Sequence, residues 1–250
     1  MTLFPLDQIR NALPDQRWEP VLQEVGESIA GAAWNTNFDT ESLYEAFDQA
    51  RPRLNVLLQI IAEIDGAGAD ISTGLGFLPA VLARIGRDIT ATDPEPPAAA
   101  LIPPDRTVLR YRLGEPLPMA ESSLDYLVFA EVLEHLKHPP VWAIGQLVPL
   151  LRPGGRFLLT TPNIARRSHI EALAAGENFL EPFPESIPGG ADATDFVEHV
   201  REYSVREVID AVEGAGLAVR QALMTDWGEA GYQPAANPYS NGIIVVDAEV

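Results

Sequence analysis

Cysteine is missing from this 250-residue chain. Disulfides, thiolate nucleophiles and thiolate metal ligands are therefore excluded. Basic residues are scarce: 17 Lys and Arg stand against 36 Asp and Glu, and Lys137 is the single lysine. The formal net charge of −19 repels phosphate backbones and anionic lipid surfaces, so neither nucleic acid nor a membrane is expected as a partner. Such a field suits a neutral or cationic ligand, or simply solubility. Long apolar runs are absent too, none approaching the roughly 18–20 residues of a membrane span. The opening MTLFPLDQIR has no charged stretch followed by an apolar one. No signal peptide is expected, and the expected location is cytoplasmic.

What is present is core material. Hydrophobic residues make up 46% of the chain, ordinary for a folded globule, and the length suits one α/β domain with additions or at most two small domains. Residues 1–60 read as helical, with apolar residues at spacings of three and four over Val21–Ile29 and Leu43–Phe47. No strand signal precedes about Gly66. Beyond it the pattern alternates. A strand ends near Ser72, a helix covers 77–85, and a strand covers 88–93. A Pro-rich loop follows over 94–104, then strands over 107–113 and 125–130. A helix over 141–151 stops at Pro153-Gly154-Gly155, and a strand covers 155–161. This alternation predicts a parallel sheet covered on both faces.

The tract 164–198 breaks the rhythm with a Pro/Gly-rich insertion, ENFLEPFPESIPGGADATD among it. Such a long connection reads as a lid or a disordered segment. Ser204 and Glu207 form an S-V-R-E capping box for a further helix, and LAVRQALMT and GIIVVDAE read as closing strands. The expected division is a helical cap over 1–60 and a main domain over 61–250 that carries the insertion at 164–198.

ADISTGLGFLPAVLA, from Ala69 to Ala83, places a glycine turn between a strand and a helix. Amides at a helix N-terminus point outward with partial positive charge. Gly74 and Gly76 allow a ligand to approach the main chain without a Cβ in the way. A dinucleotide G-x-G-x-x-G fails at its third glycine, where Pro79 stands. The next strand ends at Asp93, whose carboxylate can accept two hydrogen bonds from a ribose diol or can simply open the Asp93-Pro94 turn. Together the two features favour a ligand that contains a nucleoside.

D-I-S-T-G-L-G resembles the first motif of class I S-adenosylmethionine-dependent methyltransferases, D-x-G-x-G-x-G, with Ser72 for its first glycine. The block LPMAESSLDYLVFAEVLEHLKHPPVWAIGQLVPLLRPGGRFLLTTPN, 117–163, resembles the same family in order and spacing. HVREYSVREVIDAVEGAGL, 199–217, is similar to relatives that modify sugars or polysaccharides. The resemblance implies a Rossmann-like seven-stranded α/β sheet in the order 3-2-1-4-5-7-6, strand 7 antiparallel. It implies S-adenosyl-L-methionine as cofactor. Asp70, Ser72, Gly74 and Gly76 would surround its methionine part and Asp93 would hold the ribose. Leu113 and Gly114 would flank the adenine, and Ala130 and Glu131 would lie beside the sulfonium. The acidic residue that many relatives carry near the end of the third strand is missing, with Arg112 or Leu113 there instead.

The implied activity is methyl transfer to a hydroxyl or amine of a small molecule, a sugar or natural-product intermediate. The leaving group needs no proton and the reaction no metal. Candidate catalytic residues are His135, His199 and Tyr203. His135 follows Glu131 by four residues, on one face if that stretch is helical; bracing of the helix explains the pair equally. His199, Arg201 and Tyr203 alternate, which puts them on one face of an extended segment. There Arg201 and Tyr203 can bind a polyol or carboxylate with His199 as base, or form a salt bridge with ring packing. His138 reads as a surface turn residue, and His169 opens the insertion. Asn163 can bond substrate or cap the next helix. Trp34, with Asn37 and Phe38, can close over a substrate or pack in the core. A nicotinamide-dependent oxidoreductase and a repurposed cofactor-binding relative are the other readings. A methyltransferase of RNA or protein is disfavoured by the charge, and a monomer or homodimer is expected.

Overall fold

The computed structural model describes residues 4–31, 40–95, 101, 107–116, 119–180, 199–226 and 237–250. Among these residues eight strands form one sheet: β1 (Arg10–Asn11), β2 (Gly68–Ile71), β3 (Thr90–Asp93), β4 (Leu109–Arg110), β5 (Leu124–Ala130), β6 (Leu151–Pro162), β7 (Ala218–Thr225) and β8 (Ile243–Glu249). Their order is β1-β7-β8-β6-β5-β2-β3-β4. Counted from β2 and read from the β4 edge, seven of them follow the expected 3-2-1-4-5-7-6, and β8 is the antiparallel member. The eighth strand corrects the expectation of no strand before Gly66. β1 adds in parallel to the free edge of β7, and two residues are too few for any alternation to show in a sequence.

Successive residues along β5 enter opposite faces, as a pleated strand requires. Tyr126 and Val128 pack with α1 (Glu19–Gly31), α2 (Thr40–Ile61) and α3 (Phe77–Arg84). Leu127 and Phe129 pack on the other face with α6 (Val205–Gly214) and the region of α4 (Pro140–Gly145). All four residues of β2 are buried, as expected of a parallel strand covered on both sides. Gly68 is required there: a Cβ would lie 2.0 Å from the Tyr126 ring.

Two boundaries differ from expectation. The helix expected over 141–151 ends at Gly145, and Val148–Leu150 form a 3-10 turn. Arg152-Pro153-Gly154-Gly155 then lies inside β6 instead of preceding it. Leu124 pairs with Leu151 and Tyr126 with Arg156, so the P-G-G stretch is taken up as a bulge. Gly154 supplies a φ of +78° for it. The strand expected over 107–113 shrinks to Leu109–Arg110, which pairs with β3 at the edge of the described sheet.

α6 begins with the expected capping box, Ser204 Oγ accepting from Glu207 N while Glu207 accepts from Ser204 N at 2.9 Å. Of the expected insertion, the start is α5 (Arg167–Ala174); 181–198 lie outside the described residues, as does Trp34 with Asn37 and Phe38.

Candidate active site

The turn after β2 is built from left-handed residues. Ser72, Gly74 and Gly76 have φ of 60°, 55° and 77°. A serine in that region is strained where a glycine is not, and Gly76 goes on to cap α3. Thr73 N donates to Thr92 O at 2.8 Å and ties the turn to β3. Gly74 N donates to Asp93 Oδ2 at 3.0 Å, and Glu95 N donates to Asp93 Oδ1 at 2.9 Å. A carboxylate offers about four lone-pair positions, so Asp93 retains acceptor capacity. Among the described residues, a Cβ built on Gly74 meets nothing within 4 Å. Asp70 lies buried beneath, accepting from Thr73 Oγ1 at 2.6 Å. Burial pushes its carboxyl up to about 6, with the Asp93 charge adding to the rise and the Thr73 bond opposing it.

Leu113 and Gly114 follow β4 on the same side. Gly114 has a φ of +91°, and a Cβ there would touch the Trp142 ring at 3.5 Å. Trp142 in turn stacks on His138 at 4.5 Å between ring centres; His138 is exposed in a bend, as expected. Trp142 carries no motif, and nothing in the sequence marked it.

Ala130 ends β5, and Glu131 follows at a φ of +54°. Leu133–His135 then form a single 3-10 turn, so the helical face expected to hold Glu131 and His135 together does not exist. Glu131 instead faces β6, accepting from Thr160 Oγ1 at 2.8 Å. Glu134, which the sequence reading left unassigned, is 1% exposed and accepts from Thr161 Oγ1 at 2.9 Å. Burial first, then the Glu131 charge, raises its carboxyl well above the ordinary range. Among the described residues its Oε1 has no hydrogen-bond partner, and it lies 3.9 Å from His135 Nε2.

Glu134 also recruits the second histidine. Its carbonyl accepts from Val200 N at 2.7 Å and Arg201 N at 3.2 Å. The His135 and His199 rings meet edge-on at 5.1 Å. One ligand atom from each of Glu134, His135 and His199 falls within 4.8 Å of the others. Arg201 and Tyr203 share a face, the guanidinium 5.4 Å from the ring centre, while His199 turns toward Glu202 instead. The single face expected for all three is therefore corrected, because Glu202 draws the imidazole inward. Arg201 is ion-paired with Glu207. Asn163, a substrate candidate, is buried and acts as a strut: Nδ2 donates to Tyr239 O and Asn241 O, both at 2.8 Å, and Oδ1 accepts from Ala165 N. Its amide is used up by the fold, and α5 starts after Arg166 without it.

One residue on from each histidine, Leu136 and Val200 line an open groove of about 530 Å³ that Tyr203, Lys137 and α6 complete. Its walls mix apolar side chains with a few charged ones, the usual make-up of a small-molecule site.

A family model described as a methyltransferase domain matches residues 44–222. A probable S-adenosylmethionine-dependent methyltransferase of Mycolicibacterium smegmatis is 29% identical over 161 residues, 61% of this chain and 58% of its own. A ubiquinone biosynthesis O-methyltransferase of Methylobacterium nodulans is 31% identical over 159 residues, 60% of this chain and 59% of its own. The chain thus spans about three-fifths of the length of these relatives. The solved 1,6-didemethyltoxoflavin-N1-methyltransferase of Burkholderia thailandensis, with S-adenosylhomocysteine bound, superposes with a TM-score of 0.54. It is 16% identical, and the match covers 98% of this chain and 92% of that one.

Proposed function

The chain belongs to the methyltransferase-domain family and has the fold of the class I S-adenosylmethionine-dependent enzymes, and on that premise we propose that it methylates a hydroxyl or amine of a small molecule. The observation that carries this reading is the turn after β2. Its Gly74 amide is held against Asp93, and no described residue stands within 4 Å of where a side chain would be. That cradle fits the amino-acid tail and ribose of S-adenosylmethionine. Asp70, Ser72, Gly74 and Gly76 would hold the tail and Asp93 the ribose. Leu113, Gly114 and Trp142 would border the adenine, with Ala130 and Glu131 beside the sulfur. When bound, the cofactor supplies an electrophilic methyl carbon on a cationic sulfur. Glu131 and the overall negative charge favour a cation there.

The rest falls to the chain. The groove beside His135 and His199 receives the acceptor, and Arg201 and Tyr203 shape its far wall. Holding the acceptor atom against the methyl carbon can lower the barrier by roughly 7–11 kcal/mol at best. Pro79 at the third glycine position and the family match leave the nicotinamide reading without support.

Calorimetry with S-adenosylhomocysteine is expected to give micromolar binding, and Asp93→Ala to weaken it at least tenfold. Absence of heat in the wild type would remove the reading. Transfer of labelled methyl groups to a panel of phenols, sugars and amines, read by mass spectrometry, identifies the acceptor atom and separates a catalyst from a protein that only binds the cofactor.

A further inference from the structure

Glu202 is 5% exposed and lies between an exposed arginine and a buried tyrosine in an extended segment. Three groups converge on its carboxylate: His199 Nδ1 at 3.2 Å, Arg166 Nη2 at 3.2 Å and His169 Nδ1 at 3.4 Å. Burial acts to raise its pKa, but the His199 bond and the charges of Arg166 and His169 outweigh that and hold it below the ordinary carboxylate range. It is a buried, ionised acid. His199 remains partly exposed, its side chain at 27%, beside the groove that begins at Val200.

We propose that Glu202 is a positioning residue: it fixes the His199 proton on Nδ1, leaves the Nε2 lone pair for the acceptor, and so makes the acceptor a hydroxyl compound. This deepens the methyl-transfer reading and rests on it. A hydroxyl must shed its proton as it reacts. The oxygen–carbon bond forms, the carbon–sulfur bond breaks with its electron pair left on sulfur, and the O–H proton passes to His199 Nε2. The positive charge lost from sulfur reappears on the imidazolium, 3.2 Å from Glu202 Oε1. A carboxylate so placed both orients the ring and offsets that charge. A neutral amine attacks through its lone pair and sheds its proton afterwards, so it gains little from such a pair.

The chain has four histidines, which makes each ring resolvable by long-range proton–nitrogen NMR, with His199→Gln to assign the signals. In the wild type near pH 8, His199 is expected as one neutral tautomer, protonated on Nδ1. Glu202→Leu is expected to shift it to a mixture dominated by the Nε2–H form, and Glu202→Asp to keep the original. Should the leucine variant not fold, the wild-type tautomer decides alone. S-adenosylhomocysteine affinity, expected to stay within twofold in the folded variants, reads the cofactor site separately: its absence in the wild type sinks methyl transfer and leaves the tautomer assignment standing. Three results overturn the proposal. They are an Nε2-protonated His199 in the wild type, a tautomer unmoved in Glu202→Leu, and added Mg²⁺ or Zn²⁺ shifting the His135 and His199 signals together, as ligands to a shared cation with Glu134 do. A product methylated only on nitrogen removes the hydroxyl assignment.

Discussion

Asp70 shows how a residue proposed to bind the cofactor works against the stability of its own fold. Its carboxyl is raised to about 6 from an ordinary 3.8, mainly by burial. The native state therefore binds more protons than the unfolded chain between roughly pH 4 and 6. This contribution to stability is full below that window and is lost as pH rises through it. Asp70→Asn keeps the size and removes the charge. It is expected to stabilise the protein by about 1–3 kcal/mol at pH 7.5, with the gain vanishing near pH 4, as urea melts at the two pH values would read. The same change is expected to weaken cofactor binding tenfold or more. Asp70, Gly74 and Asp93 were readable as candidates because their motif is local in the chain. Glu202 and Trp142 were not, since each acquires its meaning from residues distant in sequence: Arg166 and His169 for one, Gly114 for the other.

Among the elements, the helices with regular apolar spacing and the buried parallel strands read correctly from the chain, because periodicity reports on which face is covered. Where the backbone departs from period, the reading failed. E-V-L-E-H looks like a helix start, yet Glu131 takes a left-handed conformation and only one 3-10 turn follows. That turn is what brings Glu134 beneath the two histidines. R-P-G-G looks like a stop signal, but neighbouring pairs on β5 and β6 absorb it. Two substitutions test the element-level account. Ser204→Ala removes the hydroxyl half of the α6 capping box and is expected to cost about 1 kcal/mol, seen as a lower urea midpoint with an unchanged slope. Gly68→Ala drives a methyl group into the Tyr126 ring and is expected to cost about 1–3 kcal/mol or more. Combining it with Tyr126→Leu, which clears the space, recovers part of the loss if the clash is the cause.

For the molecule as a whole, the sheet is finished by segments from both ends of the described chain. β1 covers the β7 edge, anchored nearby by Tyr239 Oη donating to Leu6 O at 2.8 Å and by Phe4 N donating to Glu213 Oε1 at 2.8 Å. Removing residues 1–12 bares an unpaired edge, a template for pairing with other chains. Light scattering is expected to show concentration-dependent association of the truncated protein and none at equal concentration of the full chain.

β8 has the larger consequence. It comes last in the sequence yet lies between β6 and β7, paired along its length with both. Among the described strands, β8 is what joins β7 and β1 to the rest of the sheet, so a chain truncated before Ile243 holds a half-zipped sheet open. A fragment trimmed to 44–222, where the family likeness ends, lacks that stitch altogether and is expected to be recovered only as insoluble material.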